Sequence, residues 1–550
     1  MTVTAAPDER ATARASMRSR FSGPQLWASL IWILLVAGGL IARPSLVAVD
    51  GALLSDAWWS WQGVSINDRA GAELLFWVIH AGWYLFGVSE LWARLVAPLF
   101  VLAGLWLSSG VARALWPQHN DAARFVPLIV IGTGGIVAFA SQTLTDTPMI
   151  AVVLLALLAL AHVMSTRVLW GALLYAVALL AGLLLKGTPA LIWLLPPALL
   201  LPWIAAGRAD MGRHRYAMVA VAIVAACATW AVWIAAHDGV GTLLEILLRE
   251  PASNRRAWYW LPFFALLLAY PWIWWRTAWR AVERVLRAPL DPGCRLVLVA
   301  TAAAFAACFF DPYRGQHVLV PALALAALFL ARALATTPEK ARDFHAVLPG
   351  VALLFIGFVF FLLNIVPHAH LDAVWRRLMG ESSLPIWLGG ISLAAGLLLL
   401  GGGYLLAQLT PRPLPQRILQ VALLPVLMAT ALNLEFMTGL RSFFDMRNFA
   451  EQIHNLQETG HPVAVIGNYD GGFDLAGRLI EPLIEIADAN TAHRWAAANG
   501  SGVVIAYFAG STLRLPARPL NLAAAGDRWA ALWPAATIIA TEGEVLRERF

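Results

Sequence analysis

The chain has 550 residues, of which 60% are hydrophobic and 13% charged, and its mean hydropathy of +0.69 excludes a soluble globular protein. Its 26 Trp and 24 Phe exclude disorder, and the three cysteines, Cys227, Cys294 and Cys308, are too few and too dispersed for a disulfide framework or a metal knuckle. The net charge of +6 comes almost wholly from Arg, Lys186 and Lys340 being the only lysines, and is spread over many short loops, so nucleic acid is not an expected partner.

A spanning helix needs about 20 mostly apolar residues. Thirteen runs of that kind lie near 24–43, 91–112, 125–141, 147–164, 168–185, 189–206, 217–236, 258–275, 295–310, 316–335, 347–366, 385–408 and 417–437. An odd number puts the two chain ends on opposite sides. Arg10, Arg14, Arg18 and Arg20, the loop with Arg208, Arg213 and Arg215, and the loop with Arg276, Arg280, Arg284, Arg287 and Arg295 all fall on one side, which the positive-inside rule makes the cytoplasm. The first run is longer than a signal-peptide core and ends in Arg43-Pro44, so it reads as an anchor.

Two stretches break the alternation of span and short loop, both on the outer side. Residues 44–90 form a long loop with interfacial helices; its segment from Glu73 to Phe86 is too short for a comfortable span and rich in Trp and Leu. From about residue 438 polar residues return, and a helical pattern at Phe449 to Glu458 is followed by strand-like runs at Pro462 to Gly467 and Gly502 to Tyr507. The expected organisation is therefore a membrane domain over 1–437 and a small α/β domain over 438–550, outside the membrane. The sequence shows no internal repeat.

Ionisable groups beside spans need a reason, because charge costs roughly 2.5 to 3.5 kcal/mol at the bilayer centre on insertion scales. Four such sites share the outer side: Asp50; Asp146 in Leu144-Thr-Asp-Thr-Pro148; Lys186 in Leu185-Lys-Gly-Thr-Pro189; and Asp311 with Arg314 in Asp311-Pro-Tyr-Arg-Gly-Gln-His317. Each also has a structural reading. Thr145-Asp146-Thr147-Pro148 is a helix start, Lys186-Gly187 a helix end with its cation on the C-terminal dipole, and Asp50-Gly51 and Asp311-Pro312 are turns. Together they bring carboxylates and two cations to one face from distant spans, which suits phosphate handling: a carboxylate takes a hydroxyl proton while Lys and Arg stabilise a departing phosphate. No phosphate loop or dinucleotide fingerprint is present to hold a soluble nucleotide.

With Leu85-Phe-Gly-Val-Ser-Glu-Leu-Trp-Ala-Arg-Leu95 and Arg314-Gly-Gln-His-Val-Leu-Val-Pro321 added to the two motifs above, the ordered set resembles the GT-C glycosyltransferases that use polyprenyl-phosphate sugars. Within that family the set is similar to the bacterial lipid A aminoarabinose transferase and its relatives in the protein O-mannosyltransferase group, and the likeness covers most of the membrane part. The resemblance implies a GT-C fold of about thirteen transmembrane helices, all-α apart from the tail. It implies Asp50 and Asp146 as catalytic residues, Asp50 the general base and Asp146 orienting the acceptor or the cations, with Lys186, Arg314 and Arg69 on the donor phosphate. The chain also departs from the family. Relatives carry a second acid where Gly51 stands, and Asp56, six residues on from Asp50, competes for the role of base. The relatives' Glu-Lys-Pro-Pro segment is replaced by Asn67-Asp-Arg-Ala-Gly-Ala-Glu73, with Asp68 and Arg69 standing in for the Glu-Lys pair after a shift of register. Asp311 and His317 flank Arg314 as further site candidates.

The function implied is inverting transfer of a sugar from a polyprenyl-phosphate carrier to a periplasmic acceptor, lipid A or another envelope glycan, by an enzyme of the bacterial inner membrane. Some GT-C enzymes use a divalent metal at paired carboxylates, and no dense His or Cys cluster argues for one here; His368 and His370 read as surface residues. The rivals are a protein O-glycosyltransferase of the same fold and a flippase for a lipid-linked sugar. Against the flippase, no inverted repeat is visible and the charges lie at one edge rather than at the midplane.

Overall fold

The structure, a computed structural model, describes residues 23–42, 48–64, 72–140, 142, 144–206, 212–237, 239–243, 272, 275–310, 316–337, 347–379, 392–408, 413–438, 445–467, 469, 471–509, 517–525 and 528–546. Within these, the side chains of 41–42, 48–50, 309–310, 316–317, 368, 378–379, 436–438 and 509 are not described. The first apolar run forms α1 (Gly23–Ala42), and the outer segment holds two helices, α2 (Ala48–Trp61) and α3 (Glu73–Phe86). Leu75, Ile79 and Trp83 turn inward from α3 and leave Trp77, Tyr84 and Phe86 exposed, the two-faced habit of an interfacial helix. Ser89 caps α4 (Glu90–Leu115), its hydroxyl accepting the Trp92 N–H at 3.3 Å.

The run predicted at 125–141 is two helices, α5 (Asn120–Ile131) and α6 (Gly134–Phe139), broken at Gly132-Thr133. Next come α7 (Asp146–Val163) and α8 (Val168–Lys186), of 18 and 19 residues. At 1.5 Å per residue each is about 27 Å long, close to the hydrocarbon thickness. The run at 189–206 also breaks, into α9 (Ala190–Leu199) and α10 (Leu201–Ile204), where Pro196, Pro197 and Pro202 remove backbone donors. α11 (Arg213–His237) follows. The predicted span at 258–275 lies almost wholly outside the described residues.

One segment departs from the reading as a loop: α12 (Arg276–Arg287) is a helix, because Thr277, Ala278 and Ala281 make a buried face at helical spacing. It is followed by α13 (Pro292–Phe310), a 3₁₀ turn (Gln316–Leu319) and α14 (Val320–Leu334), then α15 (Leu348–Ile365), α16 (His368–Met379), α17 (Leu393–Leu406) and α18 (Leu414–Thr438). Among the described residues seven helices are long and apolar enough to cross a membrane, or eight if α12 and α13 count as one bent span. Lipid supplies no hydrophobic drive between helices, so small residues set their approach. A Cβ on Gly403 would stand 2.6 Å from the Leu354 N, which is how α15 and α17 pack closely.

The bundle has two chemically different ends. Asp146 opens α7 and Lys186 closes α8 at one end. At the other, Arg215 at the start of α11 donates to the carbonyls of Val163 (3.0 Å) and Ser165 (2.6 Å), and Arg284 of α12 reaches Thr336 just past α14. Arg215 and Arg284, two of the arginines read as cytoplasmic, thus lie at the end opposite the proposed site.

After α18 come α19 (Arg447–Glu458), β1 (Val463–Ile466), α20 (Asp474–Gly477), β2 (Ile484–Ile486), α21 (Ala489–Ala498), β3 (Val503–Ala509), β4 (Asn521–Ala525), β5 (Arg528–Pro534) and α22 (Ala535–Ala540). They build a five-stranded sheet ordered β2-β1-β3-β5-β4. β1 pairs in parallel with β2 and β3, and β5 pairs antiparallel with β3 and β4. β1 and β3 are central and covered on both faces, hence their unbroken apolar runs. One face packs on α21 and α22 through Val504, Trp533 and Ile538. The other belongs to the core of the bundle itself, Val465, Phe473 and Leu479 being continuous with Leu54, Trp58 and Trp83.

Candidate active site

Two of the residues singled out in the sequence meet directly. The Lys186 Nζ lies 2.5 Å from the Asp146 Oδ1, with the side chains 2% and 1% exposed. Both helix-terminus readings hold for the backbone: α7 begins at Asp146, and α8 ends at Lys186 on Gly187, whose φ of +64° suits glycine. Neither accounts for the side chains. Thr145 makes no side-chain cap on α7, and the Asp146 carboxylate turns to the Lys186 ammonium instead. A buried ion pair is weak evidence for stability, because desolvating two charges offsets much of their attraction. It is a better sign of function at the membrane end of a bundle.

Two further segments pack beside these helices. Ala72, at φ 82° ahead of α3, donates its N–H to the Leu185 carbonyl at 3.2 Å, which seats the start of α3 beside the residue that precedes Lys186. The Gln316–Leu319 turn, just beyond Arg314, packs on α6 and α7. Asp68, Arg69, Asp311 and Arg314 themselves lie outside the described residues, and of His317 only the backbone is described, in that turn. Among the described residues no group of three or more His, Cys, Asp or Glu is placed to hold a metal ion.

Asp50 lies in the first turn of α2, and its side chain is not described; Asp56 lies on the same helix and is buried. What the sequence did not disclose is that the C-terminal layer grips α2. Asp474, 2% exposed, accepts hydrogen bonds at Oδ2 from the Ser55 hydroxyl and, at 2.9 Å, from the Trp59 indole N–H; its Oδ1 accepts the Tyr469 hydroxyl at 3.0 Å. Ser55 and Trp59 are one helical turn apart, so a single carboxylate satisfies both. Trp58 donates to the Leu479 carbonyl at 3.0 Å, and Arg478 to that of Val88 at 3.3 Å. Gly471, at φ +72°, lets the turn press on the helix, since a Cβ there would fall 2.3 Å from the Ser55 Cβ and 3.2 Å from the Gly51 carbonyl oxygen. The motif at Leu85 to Leu95 borders this seat, with Glu90 and Arg94 paired at 3.5 Å and Glu90 lining a cleft with Gly51, Leu54, Gly471 and Leu475.

Burial pushes the Asp474 carboxyl above the ordinary carboxylate range and the nearby Asp56 charge adds to this, against the hydrogen bonds from Ser55, Trp59 and Tyr469. A carboxyl raised by docking binds its proton more tightly when docked, so the contact is strongest in acid and weakens as pH rises through the raised value. Asp474→Ala strands three buried donors and is expected to destabilise the docked layer by about 2 kcal/mol or more. Asp474→Asn, whose carbonyl can serve Ser55 and Trp59, is expected to cost less and to flatten the pH dependence. Thermal melts across pH check both variants.

Among solved structures the chain is similar to ArnT from Cupriavidus metallidurans in the apo state, over 94% of this chain and 99% of that one, with a TM-score of 0.66 and 14% identity. The fold is that of ArnT. The ArnT structure bound to undecaprenyl phosphate matches over 92% of this chain and 96% of that one, with a TM-score of 0.64 and 16% identity. No family model and no curated protein matches the sequence. The GT-C architecture implied by the motifs is thus the architecture present, and the ArnT likeness extends through the C-terminal layer.

Proposed function

We propose that the protein transfers a sugar from a polyprenyl-phosphate carrier to an acceptor hydroxyl at the end of the bundle that holds Lys186 and Asp146, as a glycosyltransferase of the bacterial inner membrane. The observation that carries this is the buried Lys186–Asp146 pair, on a fold shared with ArnT, of which one solved structure is bound to undecaprenyl phosphate.

In the reaction the acceptor oxygen attacks the anomeric carbon as the bond from that carbon to the phosphate oxygen breaks. Asp50 takes the hydroxyl proton, and the electron pair leaves on the carrier phosphate, held by Lys186 and Arg314. A phosphate is a good leaving group and needs no general acid. One displacement gives inversion. Asp146 holds the Lys186 ammonium in place, which the short contact between them supports. The acceptor is lipid A or another envelope glycan, approached from the side on which the C-terminal layer covers α2.

Mass spectrometry of lipids from cells with and without the gene tests this reading. A polyprenyl-phosphate sugar is expected to accumulate in the deletion while one envelope glycan loses the matching mass. No accumulation and no lost glycan would overturn the assignment. A carrier that accumulates while a protein, rather than a glycan, loses the sugar would move the acceptor and keep the chemistry.

A further inference from the structure

The helix α12 lies at the bundle end opposite the proposed site, and its axis is bent 113° from that of α13. It therefore does not continue the span but lies across its end. Thr277, Ala278 and Ala281 are buried against the bundle, and Arg284 fastens the helix to the chain beyond α14, donating to the Thr336 carbonyl at 3.2 Å and the Thr337 hydroxyl at 3.0 Å. Its four arginines, Arg276, Arg280, Arg284 and Arg287, less Glu283, leave a net charge of +3 on the helix.

What faces outward is two stripes side by side. Successive residues turn by 100°, so Arg276, Arg280 and Arg287 fall within about 40° of one another. All three are exposed. Trp279 and Leu286, 58% and 51% exposed, fall within about 20° of each other on the neighbouring flank. Glu283 lies between the stripes and pairs with Arg287. Water solvates the arginines well and the apolar flank poorly. The boundary between headgroups and acyl chains suits both, offering phosphate to the ridge and hydrocarbon to Trp279 and Leu286. The helix sits where this boundary must fall, since α13 starts its crossing five residues after Arg287.

We propose that α12 lies in the membrane interface and binds anionic phospholipid headgroups of the phosphatidylglycerol type through Arg276, Arg280 and Arg287, with Trp279 and Leu286 seated at the acyl boundary. This docking surface is separate from the Lys186 end and does not depend on the reaction proposed there. Each arginine near an anionic surface supplies roughly a fivefold preference.

The test is native mass spectrometry of the full chain after exchange into mixed phosphatidylcholine and phosphatidylglycerol, counting each lipid retained. The triple variant Arg276→Gln/Arg280→Gln/Arg287→Gln is expected to lower the preference for phosphatidylglycerol by about tenfold or more, and the matching triple Lys variant to keep it, because charge rather than the guanidinium fork carries the contact. If the triple Gln variant fails to fold, Arg280→Gln alone is expected to reduce the preference by roughly fivefold. An unchanged preference in a folded Gln variant overturns the proposal. So does a preference that appears only for added undecaprenyl phosphate, which would make the ridge a carrier site.

Discussion

Replacing Lys186 with Ala is expected to lower sugar transfer by roughly 10² to 10³, the cost of losing one positioned group that stabilises developing charge. The same change leaves the Asp146 carboxylate buried at 1% exposure without its ammonium, which costs about 3 to 5 kcal/mol of stability. The two effects can be separated. In Lys186→Ala/Asp146→Asn the stranded charge is gone, so stability is expected to return towards that of the parent while transfer stays low. Thermal melts with an in vitro transfer assay on a polyprenyl-phosphate sugar read both quantities. A double variant that regains both would make the pair a structural bridge and remove Lys186 from the phosphate site. Binding of undecaprenyl phosphate itself is expected to weaken in both variants, since both lack the Lys186 ammonium.

The pair was legible because each residue is an anomaly in its own neighbourhood. A Lys after Leu183-Leu-Leu185 and an Asp before Pro148 stand at the ends of long apolar runs, and such charges demand a partner. The helical character of most described apolar runs was legible for a related reason, as hydropathy is averaged over many residues and survives local irregularity. The irregularities were not legible. The breaks within 125–141 and 189–206 depend on how Gly132 and the prolines are accommodated by neighbours, and α12 reads as a loop in the sequence because five charges in twelve residues outweigh a face of Thr277, Ala278 and Ala281. The grip on α2 could not be seen at all. Ser55 and Asp474 are 419 positions apart, and neither is unusual locally. The nearest signal is Gly471-Gly472 between Asp470 and Asp474, which marks a close backbone approach without naming what approaches.

Asp50→Asn is expected to lower transfer by about 10² to 10⁴ for loss of a general base, while Asp56→Asn is expected to matter less. The two acids share α2 but not a face: six residues at 100° each place them about 120° apart round the helix axis, so one base cannot stand in for the other. Asp56 lies on the side of Asp474, whose carboxyl it pushes upward. Its removal therefore lowers the Asp474 proton affinity and shifts the pH dependence of docking towards acid, without touching the reacting hydroxyl. Asp50 adjoins Gly51, whose carbonyl meets the Gly471 turn, so the C-terminal layer also touches the turn of α2 that carries Asp50. A rate that rises with pH as the base ionises in the parent, and loses that rise in Asp50→Asn alone, assigns the proton to Asp50. The opposite result, with Asp56→Asn inactive and Asp50→Asn active, transfers the role to the face next to Asp474. The layer would then be gripping the catalytic turn itself, and Asp474→Ala would be expected to lower kcat as well as stability.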